Sequence, residues 1–339
     1  MASSAGSTPL PSARRALDGE ERPVVSYVLP LRSSSPRLDL TPYLQALVSF
    51  PEVGEVVVVD GSPPEVAERH AAAWAGVKGL RHLLLDPASA TPMGKVGGVL
   101  AGLRAATYEA VVLADDDVRW TPEQLAEAGD RLAHCEVLRP QNWFDPQPWH
   151  ARWDTGRILL NRIAGGDWPG TLVVRRSAML DVGGYAGDVM FENLELVRTI
   201  RAAGGREIVA LDLLVRRLPP SPRQFLDQRV RQAYDELARP WRLAGYLALV
   251  PLAAVTRGQA VAPLALLAVM GAEAGRRRGG GQRVFAPTAA LWAPLWLAER
   301  AVTSWLAVAS HLAIGGIRYR DTVLSRAATP MRHLRRRFG

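Results

Sequence analysis

Cysteine occurs once in the 339 residues, as Cys135, and lysine only twice, as Lys78 and Lys95. A single thiol excludes a disulfide framework and a cysteine-rich metal site, and it is compatible with a reducing compartment. Lys and Arg together number 41, so the chain uses arginine almost wherever it places a cation, and Lys95 stands out for that reason. The first 21 residues lack a long apolar core and so do not read as a signal peptide. They are small and polar, with Pro9, Pro11 and Arg14-Arg15, and residues 1–22 read as a disordered leader. Zinc-finger spacing and base-stacking motifs are also missing, so the net charge of +8 does not point to a nucleic acid.

The length allows two domains, or one domain with an appendage. The most informative stretch is Val111-Val112-Leu113-Ala114-Asp115-Asp116-Asp117. Its apolar half reads as a strand buried on both faces, as inside a parallel sheet. The acids then fall at the strand's carboxyl end, where open α/β sheets bind their ligands. Three adjacent carboxylates repel one another, and a divalent cation such as Mg²⁺ or Mn²⁺ suits all-oxygen ligation. The plainer alternative is an acidic turn before a helix that starts at Thr121-Pro122.

The surrounding chain alternates strands and helices at intervals of roughly 25 residues, the spacing of βαβ units. Strands are expected at 24–31, 56–59, 83–85, 111–114, 137–138, 172–174 and 208–211. Helices are expected at 40–50, 65–74, 96–106, 122–133, from Ser177, from Phe191 to Ala203, and at 224–237. Asp60, Asp86 and Asp115–Asp117 all close strands, and a parallel sheet gathers such residues along one edge. Thr91-Pro92-Met93-Gly94-Lys95-Val96-Gly97-Gly98 precedes a helix but fails the P-loop pattern, because Ser89 and Val96 stand where Gly and Ser or Thr belong. What remains is a lysine at a helix N-terminus, a place that favours anions. Residues 140–170 carry Trp143, Trp149, Trp153 and Trp168 among many Pro and Gly, and read either as aromatic loops lining a groove or as a second small core. Gln228 and Arg231 lie three apart on their helix and face the same way.

Taken together, Val57–Ser62, Gly94-Lys95, Asp115–Asp117, Gly183-Gly184-Tyr185, Glu192-Asn193-Leu194-Glu195-Leu196 and Gln228-Arg229-Val230-Arg231 resemble, in order and spacing, the catalytic domain of family 2 glycosyltransferases. The resemblance covers roughly residues 24–236 and implies the A-type nucleotide-diphospho-sugar transferase fold, an α/β architecture with a mostly parallel central sheet. It implies inverting, metal-dependent sugar transfer, with Asp60, Lys95, Asp115 and Asp116 at the nucleotide sugar. Asp117 and Asp115 would hold Mn²⁺ or Mg²⁺, and Gln228 and Arg231 would serve the catalytic centre. Two positions depart from the family pattern. Asn193 stands where the aspartate base is usual, which moves that role to Glu192, with Glu195 and Asp188 behind it. Gln232 replaces the tryptophan after Gln-x-x-Arg, which argues for single-sugar transfer over processive synthesis.

Past Trp241-Arg242 the composition turns apolar in 243–255, 260–272, 285–297 and 301–314, with Arg276–Arg278, Arg283 and Arg332–Arg337 between and beyond. Each run is shorter than the roughly 20 residues of a bilayer span. Basic flanks and Trp292, Trp296 and Trp305 suit multi-pass or re-entrant hairpins at the cell membrane, with the catalytic domain in the cytoplasm. The expected division is therefore a leader (1–22), a catalytic domain (23–240), membrane-associated helices (241–316) and a basic cytoplasmic tail (317–339). This layout is similar to ceramide glucosyltransferase-like enzymes and synthases. Its implied partners are a nucleotide-sugar donor and a lipid or lipid-linked acceptor, with no nucleic acid; the oligomeric state is left open. A polyprenyl-phosphate sugar transferase, a catalytically weak nucleotide-sugar-binding membrane protein and a soluble helical domain are the alternatives.

Overall fold

Val56–Val59 are four β-branched residues in a row, which favours extended backbone. All four are buried, because their strand lies inside a sheet covered on both faces. The structure, a computed structural model, describes residues 14–17 and 20–339. Much of the expected leader lies outside the described residues, but Arg14–Leu17 (β1) and Glu20–Pro23 (β2) form an antiparallel pair.

The first half of the chain then alternates as expected: Val25–Leu31 (β3), Thr41–Ser49 (α1), Val53–Asp60 (β4), Pro64–Trp74 (α2), Leu80–Leu84 (β5), Gly94–Ala105 (α3) and Ala110–Ala114 (β6). After the acid triplet come Val118–Arg119 (β7), Pro122–Leu132 (α4), Val137–Phe144 (β8), Trp149–Ile163 (α5), Thr171–Arg175 (β9), Arg176–Asp181 (α6), Glu192–Ala202 (α7) and Glu207–Arg217 (β10). Eight strands make one mixed sheet in the order β5-β4-β3-β6-β9-β8-β10-β7. Strands β5, β4, β3 and β6 are mutually parallel, as are β8 and β10, while β9 and β7 run against their neighbours.

Side chains alternate across this sheet. Val25, Tyr27, Leu29 and Leu31 of β3 join Leu44, Leu47, Leu125 and Leu132 of α1 and α4 on one face. Val28 joins Val96, Leu103, Leu196 and Ile200 of α3 and α7 on the other. The glycines of α3 serve this packing: a Cβ at Gly102 would lie 2.3 Å from Val28 Cγ1, so only glycine lets the helix seat so close to β3.

The helix expected at 224–237 differs from expectation, and residues 140–170 follow the small-core reading, not the aromatic-loop one. They extend β8 to Phe144 and then form α5, whose Trp149 and Trp153 pack with Phe225 as a small aromatic core. Trp168 instead lines a cavity. The expected helix at 224–237 is broken into Pro222–Asp227 (α8), Arg229–Tyr234 (α9) and a 3₁₀ turn over Asp235–Ala238.

Beyond it lie Pro240–Val255 (α10), Val261–Arg277 (α11), Ala293–Ile314 (α12), the hairpin Ile317–Tyr319 (β11) and Thr322–Leu324 (β12), and Met331–Phe338 (α13). The expected membrane spans are corrected here: among the described residues no helix is long and apolar enough to cross a membrane. α10 and α11 are too short, and α12 interrupts its apolar sequence with Glu299-Arg300 and buries Trp296 and Arg300 toward the protein. α11 and α12 share a core with α5, through Ile158, Leu159, Ala268, Ala272, Phe285 and Ala293. The segment after β12 is pinned as well, because Met190 and Phe191 N–H groups donate to the Arg326 and Ala327 carbonyls, at 2.9 and 2.8 Å.

Candidate active site

The parallel strands β3, β4, β5 and β6 deliver their carboxyl ends to one edge, over a cleft of about 1490 Å³. Asp60 ends β4, Asp115–Asp117 follow β6, and Lys95 opens α3 beside them. Lys95 is the centre of the arrangement. Its Nζ lies 2.7 Å from Asp115 Oδ1 and 2.6 Å from Glu192 Oε1. Burial alone would lower its pKa, but the two carboxylates hold it above the ordinary lysine value.

The rest of the triplet is paired too. Arg217, at the end of β10, places Nη2 3.2 Å from Asp115 Oδ2 and Nε 2.9 Å from Asp117 Oδ2. Arg37, in the loop after β3, binds Asp116 and also Asp39, at 2.9 Å. Asp115 titrates below the usual carboxylate range: burial would raise it, but Lys95 and Arg217 dominate. Asp117 is lifted above that range by burial, with Arg217 opposing and Asp115 adding to the rise. The crowding relies on Gly170, whose amide lies against Asn142 Oδ1 at 2.7 Å. A Cβ there would fall 2.6 Å from Asp115 Oδ2 and 2.8 Å from Arg217 Cζ.

Asp60 shares the edge but is fully enclosed. Its Oδ2 meets His70 Nδ1 at 2.6 Å and His82 Nε2 at 3.0 Å, and its Oδ1 accepts from the Ser62 amide at 2.9 Å. Despite burial, these donors hold its pKa well below the ordinary value. The Arg37 amide donates to His70 Nε2 at 2.8 Å, so neutral His70 carries its proton on Nδ1 and gives it to Asp60. Asp60, His70 and His82 are close enough to suggest a metal site, but with that proton in place the trio is better read as a hydrogen-bonded brace beneath the cleft.

Across the Lys95–Glu192 pair the cleft opens into a second chamber of about 480 Å³. Glu192 and Asn193 of α7, Arg231 and Gln232 of α9, and Trp296 and Arg300 of α12 line it, while Gln228, Tyr319 and Arg320 border both spaces. Burial raises the Glu192 pKa above the carboxylate norm, against the pull of Lys95. Asn193 is structural here: its Nδ2 donates to the Pro169 carbonyl at 2.9 Å. Glu195 and Asp188 stand apart from both chambers. Glu195 is buried and accepts from the Thr329 amide at 2.6 Å, and Asp188 pairs with Arg326 at 2.5 Å.

The structure thus brings Asp60, Lys95, Asp115–Asp117, Glu192, Gln228 and Arg231 to one connected space, with Asp60 buried in its wall. Sequence reasoning missed Arg217, Arg37, Gly170, Tyr319, Arg320 and Arg300. Arg217 had a usable signal, because it too ends a strand on the ligand edge. Asp115 and Asp117 offer only oxygen donors, the type a hard divalent cation takes, and their two charges are matched in this structure by Lys95 and Arg217.

No family model matches the chain, and no curated protein does. Among solved structures, the mannosyltransferase PcManGT from Pyrobaculum calidifontis, in complex with GDP-Man and Mn²⁺, aligns with a TM-score of 0.51 at 20% identity, over 84% of this chain and 87% of that one. S. aureus TarS 1–349 aligns with a TM-score of 0.45 at 17% identity, over 88% of this chain and 94% of that one. The first likeness shows that the chain has the A-type fold expected from its sequence.

Proposed function

We propose that this protein transfers a sugar from a nucleotide-diphospho-sugar to a hydroxyl of a lipid-borne acceptor, with inversion and with Mn²⁺ or Mg²⁺. One observation carries the reading: Lys95 and Arg217 stand among the acids at the head of β6, at the junction between a large cleft and a smaller chamber. The large cleft suits the donor and the smaller chamber the acceptor. The mannosyltransferase of like fold was solved with GDP-Man and Mn²⁺, which supports a nucleotide sugar and a divalent cation here.

The leaving diphosphate gains negative charge as the glycosidic bond breaks. Lys95 and Arg217 are fixed in place before reaction and meet that charge without reorganising. Asp115 and Asp117 would hold a divalent cation, which would supply further charge stabilisation to the diphosphate. Glu192 faces the second chamber, and its raised pKa suits it to take a proton from the attacking hydroxyl. The acceptor oxygen forms its bond to the anomeric carbon opposite the diphosphate, which departs with the electron pair.

A lipid-borne acceptor is favoured by the outer surface of α10–α12. Trp241, Val255, Leu266, Leu267, Met270 and Leu312 are each more than half exposed there. Such a face suits an in-plane seat on a bilayer, where the chain would present the second chamber to lipid. The test is a panel of GDP- and UDP-sugars with Mn²⁺, scored by release of nucleoside diphosphate, with proton NMR reporting the anomeric configuration of donor and product. Tight nucleotide binding without turnover on any donor would instead favour a binding protein. Retained configuration would exclude Glu192 as the base of a single displacement.

A further inference from the structure

We infer that the second chamber binds the phosphate of a phosphate-bearing acceptor, held by Arg300, Arg239 and the Trp296 indole N–H. The assignment rests on the proposed transfer reaction for the word acceptor, but the anion site itself stands on geometry. Arg300 is 1% exposed, yet its Nε and Nη1 find no hydrogen-bond partner among the described residues. Trp296 is equally buried, and its Nε1–H is also unpartnered. Arg239, just after the 3₁₀ turn, is 20% exposed, but its Nε is a further buried donor without a partner. All three residues line the chamber.

A buried guanidinium with idle N–H groups costs far more than a buried apolar group, unless something accepts from it. Two nearby carboxylates are taken, while Asp235 Oδ1 is buried without a partner. Glu236 accepts from Arg239 at 2.9 Å and from Arg242 at 3.2 Å, and Glu299 from Arg229 at 3.4 Å. Asp235 adds little negative charge, since burial lifts its carboxyl to about 8 despite Arg239, and at neutral pH it is mostly a hydrogen donor. Arg231 and Arg320, each over the Tyr319 ring, make no ion pair among the described residues. The chamber therefore presents an excess of cationic donors, a match for the several acceptor oxygens of a phosphate. In the proposed reaction the donor's diphosphate has its own partners, Lys95 and Arg217, at the junction of the two spaces.

The phosphate can sit on a lipid or on a small soluble molecule, and three probes separate these sources. Phosphatidylglycerol in detergent micelles, glycerol 3-phosphate and diacylglycerol are titrated against the full chain, with tryptophan fluorescence and ³¹P NMR as readouts. Binding of phosphatidylglycerol alone assigns a lipid-borne phosphate, binding of both phosphates assigns a site that reads the head group, and neither binding better than diacylglycerol overturns the proposal. Arg300→Met should weaken phosphate binding by about tenfold to a hundredfold, the range of a lost charged hydrogen bond. Nucleotide affinity, measured in the same sample, should move less than about twofold, within the additivity of separate sites. Because Arg300 is buried, Trp296→Phe and Arg239→Gln are measured beside it, and equal phosphate affinity in all three variants and wild type sinks the assignment. Phosphate binding without turnover of any donor would leave the anion site standing and fell the transfer reading. Turnover without phosphate binding would do the reverse.

Discussion

Lys95 illustrates how one side chain ties two chambers together. Its ammonium bridges a carboxylate of the donor cleft and the proposed base, so removing it unbalances both. Lys95→Met should lower kcat by about 100- to 1,000-fold, the loss typical of one preorganised charge-stabilising donor, with nucleotide affinity changed far less. A kcat within severalfold of wild type would remove Lys95 from the mechanism. Asp60 makes a separate prediction, about stability. Its pKa is held below the unfolded value by His70, His82 and the Ser62 amide. Its contribution is therefore complete above the unfolded carboxylate pKa and is lost as pH falls through the folded one. Urea titrations should show stability dropping as pH is lowered below about 4, the unfolded aspartate value, and a shallower drop in Asp60→Asn, which is weaker at neutral pH. Cys135 is 1% exposed and burial pushes its thiol up to about 11, so Ellman's reagent should leave it untouched at pH 8 until the chain is unfolded.

Elements rather than residues decide why α7 presents Glu192 where it does. The backbone before α7 is hydrogen-bonded to the strand-like stretch at Arg326-Ala327, and Glu195, one turn into α7, receives the Thr329 amide. The helices that follow the sheet hold α5 by close approach as well: a Cβ on Gly275 of α11 would lie 1.9 Å from the Leu159 carbonyl oxygen of α5. Gly275→Ala should therefore cost about 1–3 kcal/mol, the range of overpacking in a tight interface, read as a lower urea midpoint with an unchanged slope; an unchanged midpoint would show that the contact relaxes freely. The same scale shows what sequence can carry. Strands β3, β4 and β6 were legible because runs such as Val56–Val59 admit one reading, and their terminal acids followed from topology. α5 was not legible, since its buried face includes His150, Asp154, Thr155, Asn161 and Arg162, which no apolar period marks. Arg162 is buried there because it donates to the Gly275, Leu211 and Arg278 carbonyls, all distant in sequence. Arg217 and Arg300 escaped for a related reason: in so arginine-rich a chain, a functional guanidinium looks like any other until its neighbours are known. The apolar runs after residue 241 were read correctly as apolar and incorrectly as spans, because no helix they form among the described residues is long and apolar enough, and α11 and α12 spend part of their apolar surface on α5.

The molecule as a whole is lopsided. The sheet end is polar and holds the cleft, whereas α10–α12 turn Val255 (83% exposed), Leu312 (79%) and Trp241 (90%) outward. The net charge of +8 is rich in arginines that flank these helices, among them Arg257, Arg277 and Arg283 and those of α13. Two attractions would then act together at an anionic bilayer: apolar burial, which salt does not weaken, and about 1 kcal/mol for each basic side chain near the surface, which salt screens. Flotation with phosphatidylcholine vesicles, with and without phosphatidylglycerol, separates them. The wild type should float most with anionic vesicles, and raising salt should reduce but not abolish its binding. Leu267→Asp with Leu312→Asp should remove the salt-resistant part, since each charge would have to enter the interface, while nucleotide binding in the distant cleft stays as it was. If the double variant floats as the wild type does, or if the wild type never floats, the exposed face serves another copy of the chain or another protein, and the lipid-borne acceptor loses its main support.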